Sequence, residues 1–176
     1  MLLNKLPCLD KGYVAYLDSS CDSTKLRDVA LEFFKKSDGR FLSDISTLTL
    51  VIKCPLFVQL NLSQFNLKII TTSTTDIEAY TPSVGEIGSP DHGTNKLISE
   101  DIERTTAALL INPKAYQADG CDRFVSQVLT PISTYTTLIV HGPYNEWKKF
   151  AAQGSMPHGM ISYATSVQQI LNMEWK

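Results

Sequence analysis

Asp91-His92-Gly93, with Ser89 two positions upstream, brings a carboxylate, an imidazole and a hydroxyl close together in the chain. Those groups are the raw material of a metal or acid–base site. The same residues also make a turn, because Asp and Gly accept tight backbone geometry, and an exposed turn is the plainer reading. His141 and His158 stand alone beside Gly142 and Pro157, and they read as boundary or surface residues rather than ligands. Glu100-Asp101 and Glu103 offer paired carboxylates for acid–base work. Acidic charge near a helix start is also what the helix dipole favours, and that reading is preferred. Gly85-x-x-Gly88 is too sparse for a phosphate cradle. Tyr144, Trp147 and Phe150 form an aromatic stripe. With little positive charge to accompany it, the stripe reads as core or interface rather than a base-stacking platform. A Ser/His/Asp or Cys/His set cannot be argued without spatial proximity.

The four cysteines, Cys8, Cys21, Cys54 and Cys121, are widely spaced and contain no C-x-x-C pair. Structural zinc usually needs close ligand pairs, so the pattern argues against it. The N-terminus has no long apolar run of the secretory kind. The thiols are therefore expected to be reduced and mostly buried, in a reducing compartment such as the cytoplasm. The chain of 176 residues is 43% hydrophobic and 19% charged, with a net charge of -2. Those values fit one globular domain, residues 1–176, with a real core. They give no basic surface for nucleic acid or anionic membrane, and no apolar run is long enough to cross a bilayer.

The elements that must position these groups follow from periodicity. Gly12 to Leu17 is a strand of β-branched and aromatic residues. Asp22 or Ser23 caps a helix over about 24–36, with Leu26, Val29, Ala30, Phe33 and Phe34 on one face. Leu48, Leu50 and Ile52 alternate as a half-buried strand. Pro55 opens a helix to about Phe65, with Leu56, Phe57, Leu60 and Gln64 along one stripe. Residues 71–95 are rich in Thr, Ser, Gly and Pro and read as a long loop, mobile or bound to a partner. Ser99 caps a helix to about Ile111, Asn112-Pro113 starts another, and a short helix spans about 122–129. Tyr135 to Val140 is β-rich, Gly142-Pro143 starts a helix, and Pro157 starts the last one. Its core side carries Ile161, Ala164, Val167, Ile170 and Leu171.

The run Thr47-Leu48-Thr49-Leu50-Val51-Ile52-Lys53-Cys54-Pro55-Leu56-Phe57-Val58 resembles the strand-to-helix junction of the flavin-dependent thymidylate synthases, the ThyX family. Leu9-Asp10-Lys11-Gly12-Tyr13-Val14 is similar to the family's opening strand. Leu26 to Phe34 resembles its early helix, with Ala30 for the family's alanine and Leu31 in place of its arginine. Val128-Leu129-Thr130-Pro131 followed by Tyr135-Thr136 resembles its Leu-Pro and Tyr-Thr segment. Tyr163-Ala164 matches the Tyr-Ala of the last core helix. The resemblance covers nearly the whole chain, but it rests on structural positions. It implies an α+β single domain, with an antiparallel or mixed sheet packed with helices, and a homo-oligomer, a tetramer in that family.

The family's ligand signature is replaced throughout. By the resemblance, Arg-His-Arg falls on Gln64, Phe65 and Asn66, and Asn-Glu on Thr71 and Thr72. Ser-x-Arg-Tyr falls on Thr74, Thr75, Asp76 and Ile77, and the arginine before the Leu-Pro falls on Gln127. The histidine before the central strand falls at about Ile45. Asn-Leu-Arg falls near Ala152-Gln153-Gly154, and Gly159 and Met160 stand near the Glu-Ile positions. FAD carries a pyrophosphate and dUMP a phosphate, and arginine suits both because its planar fork binds phosphate bidentately. The four arginines present, Arg27, Arg40, Arg104 and Arg123, fall on none of these positions.

The sequence therefore points to a non-catalytic ThyX-like protein with no catalytic residue, no metal and no cofactor. Its scaffold would serve oligomeric assembly, or protein binding through the 71–95 loop. Such a role would suit a small phage or viral structural component, placed in the host cytoplasm or the virion. Two alternatives stand beside it. One is a divergent enzyme passing hydride from NADPH through FAD to methylate dUMP to dTMP, with methylenetetrahydrofolate as carbon donor. The other is a nucleotide-binding regulator without turnover.

Overall fold

The computed structural model describes residues 3–19, 46–73, 78–88, 91–122, 130–153 and 158–174. The helices expected over about 24–36 and 122–129 fall outside the described residues, apart from Asp122. Five strands form one sheet: β1 (Leu3–Cys8), β2 (Gly12–Ser19), β3 (Thr47–Pro55), β4 (Lys68–Ser73) and β5 (Tyr135–Pro143). Their order is β1-β2-β3-β5-β4, and every pairing is antiparallel. The helices are α1 (Leu56–Leu62), α2 (His92–Ala118), α3 (Tyr144–Ala151) and α4 (His158–Glu174). The expected α+β class holds, with an antiparallel sheet.

The core lies on one face of the sheet. Leu48, Leu50, Ile52 and Cys54 point to it from β3, as their alternation predicts. Trp147 and Phe150 of α3 and Val167 and Leu171 of α4 close it from the other side. Trp147 lies 6.4 Å edge-to-face from Phe150, and its indole N–H donates to the Leu48 carbonyl at 3.0 Å. Tyr144, Trp147 and Phe150 are thus core, as expected.

Several elements differ from the expectation, each for a physical reason. Leu9-Asp10-Lys11 is the turn between β1 and β2 rather than part of a strand, with Leu9 at a φ of 51°. Helix α1 ends at Leu62, short of Phe65. Its inward residues are Val58 and Leu62, an i, i+4 pair, while Leu60 is 62% exposed and Gln64 is exposed. The first two amides of α1 donate to the carbonyls of Thr134 and Ile132, both at 3.0 Å. These contacts fix the helix rotation from a segment distant in sequence. On α4, Ile161 is 50% exposed, and Met160 and Tyr163 take the buried positions.

Among the described residues, the 71–95 segment carries regular elements rather than forming one loop. β4 runs to Ser73, Ala79 bridges to Thr134, and a 3-10 turn spans Val84–Glu86. Helix α2 begins at His92, eight residues before the expected start near Glu100. The Asp91 carboxylate accepts the Gly93 and Thr94 amides at 3.2 and 3.0 Å and outcompetes Ser99 as cap. The Ser99 hydroxyl donates instead to the Pro82 carbonyl at 2.9 Å. Asn112-Pro113 starts no new helix, because α2 continues through Pro113 to Ala118. Glu100, Asp101 and Glu103 therefore lie beyond the first turn, where the dipole no longer explains them.

Cys8 and Cys54 are buried free thiols, and Cys121 is partly exposed. The Cys8 thiol lies 3.2 Å from the Ser166 hydroxyl. Burial pushes Cys8 up to about 11, and burial first, then the nearby Cys8, pushes Cys54 higher still. Cys121 is within reach of solvent and is expected to label in the folded protein. Cys8 and Cys54 should label only after denaturation. Mass-spectrometric mapping of an alkylating reagent checks this; rapid native labelling of Cys54 would contradict the packing.

Candidate functional site

Two clusters of polar groups occupy opposite ends of the sheet. The first contains the positions at which phosphate-binding residues are expected. Gln64, Phe65 and Asn66 follow α1 and lead into β4. The Phe65 ring packs edge-on against Phe150 at 5.5 Å, so its position belongs to the packing of the core rather than to a ligand. Leu67 lies over Gly142, where a Cβ would strike its side chain. The Asn66 amide donates to the Glu146 carboxylate at 3.1 Å, and Lys149 donates to the same carboxylate at 2.5 Å. Gln64 is exposed. Thr71 is exposed on β4 opposite Leu138, and Thr72 lies in the same strand. Thr74, Asp76 and Gln127 lie outside the described residues.

The structure thus brings Gln64, Phe65 and Asn66 together in one turn. The Asn66 backbone N–H is already held by a carboxylate. Arg104 is on α2, with its side chain 81% exposed and paired with Asp101 at 2.5 Å; Arg27, Arg40 and Arg123 fall outside the described residues. The described part of the expected set does not fit the phosphates of FAD or dUMP. Among the described residues, no cluster of His, Cys, Asp and Glu could hold a metal ion. His141 is exposed on β5, with its Nδ1 2.9 Å from the Thr49 hydroxyl. A shallow cavity of about 270 Å³ between α3 and α4 is lined by Gln153, Ile161, Thr165, Gln168 and neighbouring residues, without a cationic side chain.

The Lys149 hydrogen bond first, then the Asn66 amide, holds the Glu146 carboxyl below the usual glutamate range. Lys53 does the same for Glu78 at the other end of the sheet. A depressed folded-state value stabilises the fold above the unfolded value, and that contribution is lost as protons bind. Stability is therefore expected to fall as pH drops through and below the usual glutamate range. Glu146→Gln should flatten part of that fall in urea melts run across the acid range. An unchanged pH profile would show that the clasp contributes nothing.

The second cluster was not legible as a site in the sequence. Tyr135, at the start of β5, donates to Asp10 in the β1–β2 turn at 2.5 Å. Lys53 of β3 pairs with Glu78 at 2.5 Å, and Tyr80 donates to Glu86 at 2.9 Å. Tyr163 donates to the Lys53 carbonyl at 3.0 Å. Burial, then the neighbouring carboxylates, raises Tyr80 and Tyr135. Burial likewise raises Tyr163. These phenols serve as hydrogen-bond donors that tie the turns and α4 to the sheet. The signal that would have found it is the meeting of Asp10 with Tyr135, which only the folded topology supplies.

A scan against protein-family models and a sequence search of curated proteins find no match. Solved structures do match in fold. A UMP/dUMP methylase, PolB from Streptomyces cacaoi bound with 5-Br dUMP, superposes with a TM-score of 0.71 at 14% identity, covering 97% of this chain and 92% of that one. The same enzyme bound with 5-Br UMP gives 0.72, also at 14% identity, over 96% and 91%. The chain shares its fold with a nucleotide methylase. The agreement spans both chains almost end to end. At this identity the likeness establishes the fold alone. Among the described residues, no helix is long and apolar enough to cross a membrane.

Proposed function

We propose that this chain is a non-catalytic protein built on a nucleotide-methylase fold, and that the fold serves self-assembly. The observation that carries this reading is the Glu146 carboxylate seated on the Asn66 amide. A phosphate brought to that amide would have to displace the Glu146 carboxylate, which Lys149 also holds, and a phosphate beside a carboxylate is unfavourable. The aromatic packing of Phe65 supports the same reading, because a ligand position there would have to leave the core. Turnover of dUMP is the second reading, favoured by the shared fold with a UMP/dUMP methylase over nearly the whole chain.

The visible absorption spectrum of the purified protein separates the readings, taken before and after adding FAD and dUMP. A colourless protein unchanged by either addition is the expected result. A bound-flavin spectrum would overturn the proposal in favour of the enzyme. Thermal stabilisation by dUMP without a flavin spectrum would replace it with a nucleotide-binding regulator, because a ligand that binds only the folded state raises its stability.

A further inference from the structure

Helix α2 is long and sparsely packed. Its 27 residues span about 40 Å. Its inward stripe, Asn95, Ser99, Ile102, Thr106 and Leu109, is buried or half-buried, and the 3-10 turn at Val84–Glu86 lies beneath it. The opposite stripe carries Leu97, Asp101, Arg104, Ala108 and Ile111, spaced by four, three, four and three residues, all exposed. That spacing matches the a and d positions of a two-helix coiled coil, with charged Asp101 and Arg104 at its centre. Leu97 is 68% and Ile111 63% exposed. Both are large apolar residues on the same line as the Asp101–Arg104 pair.

We infer that this stripe is where a second copy of the chain docks, with the two α2 helices antiparallel. The charges choose the partner and its direction. A parallel pair would set Asp101 against Asp101 and Arg104 against Arg104. An antiparallel pair about a two-fold axis between positions 102 and 103 sets each Asp101 against the other copy's Arg104. The same register places Leu97 against Ala108, a large side chain on a small one, and Ile111 against the methyl of Thr94. The two intrahelical ion pairs become one alternating ring of four charges, flanked on both sides by apolar layers. The facing stripe, from position 94 to position 111, is about 27 Å long. The stripe is self-complementary, so it fits another copy of itself better than a surface of single charge. The inference rests on the assembly reading above and names the surface that carries it.

Three variants test it by sedimentation velocity over a concentration series: Arg104→Asp, Asp101→Arg, and the double swap of both. Both positions are exposed, and circular dichroism confirms that each variant folds. Each single reversal places like charges across the axis and is expected to weaken self-association roughly a hundredfold. The double swap restores the alternating ring and should recover association. An equimolar mixture of the two single variants should form a 1:1 heterodimer. Association of wild type that survives both single reversals would overturn the α2 surface and leave the assembly reading standing. A wild-type chain that stays monomeric throughout would overturn both.

Discussion

Replacing Gly12 with alanine is expected to cost about 3 kcal/mol of stability, at the upper end of what overpacking a filled core usually costs. A Cβ at this position would meet the Tyr163 hydroxyl, and it would also lie 2.8 Å from the Cys8 carbonyl and 2.9 Å from the Lys53 carbonyl. Gly12 pairs with Cys8 across the first hairpin, and Tyr163 uses the hollow above it to reach the Lys53 carbonyl. The tyrosine can retreat only by giving up that hydrogen bond, and the two carbonyls belong to the sheet itself. A loss of that size should lower the melting temperature by roughly 10 °C in a chain of this length. Gly12→Ala combined with Tyr163→Phe should recover part of the loss, because it removes one of the three collisions. Gly85→Ala is the control, since nothing lies within 4 Å of a Cβ there. Equal melting temperatures for Gly12→Ala and Gly85→Ala would show that the hollow does not exist.

Trp147→Ala is the second large effect, expected at about 3–5 kcal/mol. The ring is fully buried between β3 and α4 and is the largest of the fully buried side chains. Its removal leaves a cavity bordered by Phe150 and takes the indole donor from the Leu48 carbonyl. A typical domain has only about 5–15 kcal/mol in hand, so this single change should bring the urea midpoint down by a large fraction at constant slope. Trp147→Phe keeps much of the volume and loses the hydrogen bond, so it should fall between wild type and alanine. A shift under about 1 kcal/mol for Trp147→Ala would place the ring outside the core.

Local patterns in the sequence anticipate local structure well here. The alternation of Leu48, Leu50 and Ile52, the proline at Pro55 and the aromatic spacing at Tyr144, Trp147 and Phe150 each depend on neighbours within one turn or one strand. The failures come where distant residues decide. The rotation of α1 is set by carbonyls from Ile132 and Thr134, so the stripe through Leu60 fits the period yet faces outward. β4 was hidden because Lys68–Ser73 shows little alternation, and its pairing partner begins at Tyr135. Pro113 looks like a start signal, but the helix on either side is long enough to absorb one missing amide.

The candidate site divides in the same way. That arginine is missing from Gln64, Phe65 and Asn66 is visible in the sequence. That Glu146 takes the Asn66 amide is not, because the two residues meet only after α3 has packed beside the turn. Tyr135 and Asp10 likewise carry no sequence signal that they belong together.

The strand order also bears on how the chain reaches its structure. The β1–β2 hairpin joins neighbours and can close in microseconds. β5 is the last strand to leave a ribosome, yet it lies between β3 and β4, pairing Val140 with Leu50 on one side and Ile69 on the other. Until it arrives, two strands wait with bare edges, and the intervening chain, α2 included, must be looped out. Such non-local closure slows folding, and bare edges invite pairing with other chains. Refolding is therefore expected to be slow for a chain of this size and to lose yield as protein concentration rises.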